Sequence, residues 1–180
     1  MISENKLSDK GKWTEVLEEV QKSTGKDYKT ILFDSDIHNW DTNTSEFEEK
    51  VYWNNQVLIV IQTTKDVIFG VYISGMITSS SSYDGSSFVF SNQSGVLKKY
   101  CIKDGKSQAL CIWPKDYDQL FNIGYNCVYV YKKSRSIDSN FIIDSKNSYD
   151  FKGDSNPLIS SSFFGSTNFN IKRILALKLD

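Results

Sequence analysis

His38 is the only histidine in the chain, and it stands in a polar corner, DSDIHNWDTNTS (34–45), together with Asp34, Asp36 and Asp41. An imidazole among carboxylates suits either a metal site or an acid–base pair. The local pattern supports neither. A calcium loop starting at Asp34 needs glycine at its sixth position and glutamate at its twelfth, where the chain has Asn39 and Ser45. A structural zinc site needs Cys or further His donors, which the corner lacks. A Ser-His-Asp triad through His38 would rest on no local motif, since the chain has no G-x-S-x-G elbow. The corner reads as an ordinary solvated turn, and no metal, cofactor or catalytic residue is expected.

Cys101, Cys111 and Cys127 are an odd number of thiols at no metal-like spacing, which argues against a disulfide framework. Each falls in an apolar stretch and reads as a small buried hydrophobe. Lys98, Lys99 and Lys103 stand near Cys101, so it is the candidate redox thiol if the protein handles peroxide, because such a thiol must be exposed beside a cation. The same lysines, with Lys106, Lys132, Lys133 and Arg135, form the one candidate basic patch. With 21 basic against 22 acidic residues the net charge is −1, so nucleic acid is a possible partner and not a favoured one. The longest apolar run, VLIVI (57–61), is too short to span a bilayer, and no leader is visible; membrane insertion is not expected. The reading is a cytoplasmic protein with reduced thiols, the nucleus left open.

The elements that position these residues follow from hydrophobic periodicity. Trp13, Val16, Leu17 and Val20 recur at helical spacing and predict an amphipathic helix ending near Gly25. A short second helix is predicted at SEFEEKV, with Ser45 and Glu48 as a capping box. VLIVIQT and VIFGVYI, separated by Thr64-Lys65-Asp66, predict a hairpin. KTILFD, SSFVFS, VLKKYCI, QALCIW, CVYVYK, NFIID and IKRILALKL add further short strands between polar turns. In the last of them Ile171, Leu175, Leu177 and Leu179 share a parity interrupted by Arg173, which predicts one buried face and one wet face. The stretch 74–87, with seven serines, reads as a mobile loop. At 180 residues and 39% apolar content this is one core. The fold class is α+β, mainly β: a sandwich of two antiparallel sheets flanked by a few short helices. Residues 1–27 form an N-terminal helical segment packed on a domain of residues 28–180.

Several of these stretches, in order, resemble the TLDc domain of oxidation-resistance proteins. KTILFDSDIHNWDTNTSEFEEKV resembles the family's opening strand, serine-containing corner with Asp34 and Ser35, and helix with an inward Phe47. VLIVIQTTKDVIFGVYISG resembles its hairpin leading into F-G-G-Y, with Gly70 and Tyr72 in place and Val71 where the family has a second glycine. SSFVFS matches its A-F-L-F-S strand through Phe88 and Phe90, and Phe164, Gly165 and Phe169 match the late loop before the final strand. The resemblance covers about residues 28–179 and implies a stand-alone TLDc protein with the same sandwich. It implies a non-enzymatic protein-interaction module in oxidative-stress resistance, with peripheral subunits of the vacuolar proton-pumping ATPase as the partner to bind and regulate. It carries no catalytic residues; the matched positions read as packing and close turns. The rival readings are a stress-responsive nucleic-acid-binding regulator and a thiol-based peroxide-handling enzyme.

Overall fold

The computed structural model describes residues 10–78, 86–92, 97–103, 108–125, 127–133, 138–141, 149–151 and 168–180. In chain order the elements are α1 (Lys10–Thr24), β1 (Tyr28–Asp34), α2 (Phe47–Val51), β2 (Val57–Thr63), β3 (Ile68–Ile73), β4 (Phe88–Asn92), β5 (Lys98–Cys101), β6 (Leu110–Ile112), β7 (Gln119–Ile123), β8 (Val128–Tyr131), β9 (Ser139–Phe141), β10 (Asn168–Phe169) and β11 (Ile171–Leu179). One sheet has the order β1-β11-β2-β3-β4-β5 and the other β10-β9-β8-β7-β6. Every strand pair is antiparallel, as short strands joined by turns require. β10 and β11 are separated only by Asn170, so one extended segment passes from the smaller sheet to the larger.

The core between the sheets takes one parity of each strand: Val57, Ile59 and Ile61 of β2, Phe69, Val71 and Ile73 of β3, and Phe121, Ile123, Val128 and Val130 from the opposite layer. Away from the edge strand β5, where Lys99 and Cys101 are exposed, the other parity of the larger sheet is largely covered too. Leu58, Val60, Ile68, Tyr72, Phe88, Phe90, Leu175, Leu177 and Leu179 form a second cluster beneath Trp13, Val16 and Val20 of α1. This explains why β2 and β3 are buried at every position, where a sheet solvated on one side would alternate. It also corrects the expectation for β11: Ile174 and Ala176 face the opposite sheet while Leu175 and Leu177 face α1, so the stretch Ile174–Leu177 has no wet face.

α1 ends as its sequence predicts. Gly25 takes φ +67° and its N–H donates to the Gln21 carbonyl at 2.7 Å, the left-handed cap that glycine adopts without a Cβ clash. Trp13 Nε1 donates to Gln62 Oε1 at 3.3 Å, pinning the helix to β2. α2 departs from expectation. Ser45 Oγ accepts the N–H of Phe47 at 3.3 Å, the residue before the helix is Glu46, and no capping box forms. The carboxylate that closes the corner is that of Glu46, which accepts the Asn39 N–H at 2.7 Å. β7 was not foreseen, because Gln119 and Asn122 break its apolar run.

Gly70 sits where β3 is flanked by Val60 of β2 and Phe90 of β4. A Cβ there would lie 2.0 Å from the Ile59 carbonyl oxygen and 2.8 Å from the Phe90 ring, so only hydrogen fits. The Ser-rich stretch is described at 74–78 and 86–87; its centre, 79–85, lies outside the described residues.

Candidate functional site

At the end of β1 the chain turns on itself through its own polar groups. The Ile37 and His38 N–H groups donate to the Asp34 carbonyl at 3.0 and 2.8 Å, and the Asp36 N–H donates to Asp34 Oδ1 at 3.1 Å. The Asp34 N–H donates to His38 Nδ1 at 2.9 Å, which commits that ring nitrogen as an acceptor. Arg173 of β11 reaches Asp34 with Nε to Oδ1 at 3.0 Å and Nη2 to Oδ2 at 2.7 Å, and Asp36 Oδ2 lies 3.1 Å from the same Nε. Burial pushes the Asp34 carboxyl up, but the Arg173 hydrogen bonds, the Asp36 N–H and the nearby charges outweigh it and hold the carboxyl below its usual value. Ser35 completes the seam: its Oγ accepts the Ile174 N–H at 2.8 Å and its own N–H donates to the Ile174 carbonyl at 3.0 Å. The corner is therefore a joint between the first and last strands.

The other residues that the sequence singled out also have structural work. Phe47 stands edge-on to Phe33 and stacks on Phe121, with both centroid distances 4.9 Å, so α2 reaches across to the smaller sheet. Phe169 packs edge-on against Phe69 at 5.3 Å, and the Tyr72 and Phe88 rings lie tilted against each other at 5.2 Å. Phe90 is buried beneath α1. Gly165, Phe164, Lys106 and Arg135 lie outside the described residues.

The basic patch is not one surface. Lys98 and Lys99 are exposed on β5, the edge of the larger sheet, with the Lys99 ammonium 4.0 Å from the centre of the Phe88 ring. Lys132 and Lys133 follow β8 in the other sheet, and Lys132 is only 2% exposed. Its ammonium donates to the carbonyls of Pro114 and Lys115, both at 2.8 Å, and of Tyr117. Burial lowers its pKa, with Asp116, Asp118 and Glu48 acting in the opposite direction. Lys132 therefore leaves the patch: its charge is spent on three backbone carbonyls, of which those of Pro114 and Lys115 also accept the N–H groups of Tyr117 and Asn43. The thiols also differ from one another. Cys101 is exposed rather than buried, Cys111 is half-buried, and Cys127 alone is the buried hydrophobe expected of all three. Burial pushes the thiols of Cys111 and Cys127 up, which disfavours the reactive thiolate.

Two surface features remain. One is a cleft of about 270 Å³ where the corner meets the smaller sheet, lined among others by Asp36, Trp40, Tyr131, Lys133, Asp138 and Lys172. The other is a rim built after α2. Trp53 has a left-handed backbone, φ +63°, and is 71% exposed; Met76, next to its backbone partner Ile77 in the chain, is 49% exposed. A bulky residue in that region is a conformational outlier, so the surrounding structure must hold it. The Trp53 N–H donates to the Ile77 carbonyl at 2.8 Å, and the Ile77 N–H returns to Asn54 at 2.8 Å. Asn54 Nδ2 donates to the carbonyls of Lys50, Val51 and Tyr52, closing the end of α2. The Lys178 ammonium is bonded to both the carbonyl and the side-chain oxygen of Asn55. Sequence reasoning passed over Trp53; the signal was a tryptophan followed by the turn-forming pair Asn54-Asn55.

A family model described as the TLDc domain matches residues 1–174 of the chain. The search of curated proteins found no match.

Proposed function

This chain belongs to the TLDc domain family, and from that premise we propose that it is a protein-interaction module of oxidative-stress resistance that acts without catalysis. The observation that carries the docking reading is Trp53: a large exposed aromatic residue on a backbone tied down by hydrogen bonds at and around it. Tryptophan is among the residue types that most often dominate binding energy at interfaces, and a backbone already fixed in place loses little freedom on binding. The non-catalytic reading is supported at the corner by the occupied state of its reactive groups. Asp34 is spent on Arg173 and His38 Nδ1 on a backbone N–H. Among the described residues no three His, Cys, Asp or Glu side chains cluster to hold a metal.

The partner proposed is the peripheral sector of the vacuolar proton-pumping ATPase, which the module would bind and regulate. The test is recovery of those subunits from cell extract on the immobilised chain. Wild type is expected to enrich them and Trp53→Ala to lose the enrichment; equal recovery by both, or by neither, counts against the proposal. No described helix is long and apolar enough to cross a membrane.

A further inference from the structure

The cleft beside the corner carries a charge pattern that the fold has not used. Four acidic or basic side chains along it, apart from the buried Lys132, are Asp36, Lys133, Asp138 and Lys172. Asp36 is engaged by Arg173 at 3.1 Å, and Lys172 by Asp66 at 3.0 Å. Lys133 and Asp138 are both exposed, they do not pair with each other, and neither side chain has a hydrogen-bond or ion-pair partner among the described residues. Among the described residues, one unpartnered cation and one unpartnered anion therefore line the same cavity. A purely anionic ligand would meet Asp138, and a purely cationic one Lys133. Only a molecule bearing both charges satisfies both walls.

The walls are set before any ligand arrives. The Tyr131 N–H donates to Ser139 Oγ at 3.1 Å, tying β8 to β9, and the Lys132 ammonium locks the 114–117 turn beneath them. The Lys133 N–H donates to the Trp40 carbonyl at 3.4 Å, joining the smaller sheet to the corner. Trp40, Tyr131 and Phe169 supply aromatic surface to the lining. The volume, about 270 Å³, falls just below the roughly 300 Å³ at which drug-sized sites begin, so the occupant is small.

We propose that this cleft binds a zwitterion of the α-amino-acid or dipeptide class, with Lys133 taking the carboxylate, Asp138 the ammonium, and Trp40 and Tyr131 an aromatic or apolar side chain. The site is separate from the Trp53 rim, so it stands or falls independently of the docking function. Amide and indole NMR spectra of the full chain, titrated with L-phenylalanine and L-alanyl-L-phenylalanine, provide the test. Saturable shifts are expected at Lys133, Asp138, Ser139 and the Trp40 indole. N-acetyl-L-phenylalanine amide, which lacks both charges, is expected to bind about tenfold more weakly. Lys133→Ala and Asp138→Ala should each weaken binding by a similar factor, whereas Glu15→Gln on α1 should not. Both positions are exposed, and unchanged shifts elsewhere will show that the fold is kept. Absence of saturable shifts with either probe, equal binding of the uncharged derivative, or full binding by the Lys133→Ala/Asp138→Ala double variant would overturn the proposal.

Discussion

Arg173 holds Asp34 by two parallel hydrogen bonds, at 3.0 and 2.7 Å, across 139 residues of sequence. The pair is mostly shielded, with side-chain exposures of 15% and 6%, and it joins the last strand to the turn that ends the first. Asp34→Ala would leave the guanidinium with Asp36 as its remaining carboxylate, and the expected loss is about 3 kcal/mol, the low end for breaking a buried pair. The pH dependence follows from the lowered carboxyl. A depressed folded pKa makes the contribution full above the unfolded value of about 3.9 and removes it as pH falls through the folded value. Urea unfolding at neutral pH and at about pH 3 should therefore show the gap between wild type and Asp34→Asn shrinking in acid. A gap that holds constant would contradict the assignment.

Gly70→Ala is predicted to be among the most damaging single substitutions, because the atoms it meets are backbone and a packed ring rather than a flexible tip. A loss of about 4 kcal/mol or failure to fold is expected, measured by thermal melting and soluble yield. Gly25→Ala, which meets no atom within 4 Å and faces only the left-handed backbone cost, should lose only about 1 kcal/mol.

Lys132→Met keeps the length of the side chain but takes the ammonium from three carbonyls, of which Pro114 and Lys115 keep a backbone N–H donor. The expected cost is about 2 kcal/mol, with faster amide exchange across residues 115–118, where the turn loses its anchor. If Lys132 were a solvated member of a basic patch, the same substitution would be nearly silent.

The three thiols should react in the order Cys101, Cys111, Cys127. Exposure and burial set this order, and the raised values of Cys111 and Cys127 reinforce it. Timed maleimide labelling followed by mass analysis reads it directly. Cys127 is expected to label only on unfolding, and early labelling there would place it wrongly in the core.

How far the fold could be read in advance depended on whether its cause was local. The hairpin of β2 and β3 was legible because its apolar runs and its turn, with Asp66 at φ +58°, are adjacent in the chain. α1 was legible from Trp13, Val16 and Val20, but its position was not: nothing in Leu175 or Leu177 announces a helix above them. That is why β11 reads as half wet. Arg173 was visible only as an interruption of an apolar parity, although a lone guanidinium there implies a carboxylate elsewhere. Lys132 reads as solvated because it lies in the polar run KKSRS, and its acceptors are backbone atoms, which no side-chain pattern reports. Trp53 gave the weakest signal, since its exposure results from a left-handed backbone set by partners at Ile77 and Asn54.

The docking account is tested most directly by titrating the purified chain with purified peripheral sector of the proton-pumping ATPase and reading affinity by calorimetry. Saturable binding is predicted for wild type, weakened at least about tenfold by Trp53→Ala while its melting temperature stays unchanged. Undiminished affinity in that variant, or no heat of binding from the wild-type chain, would contradict it.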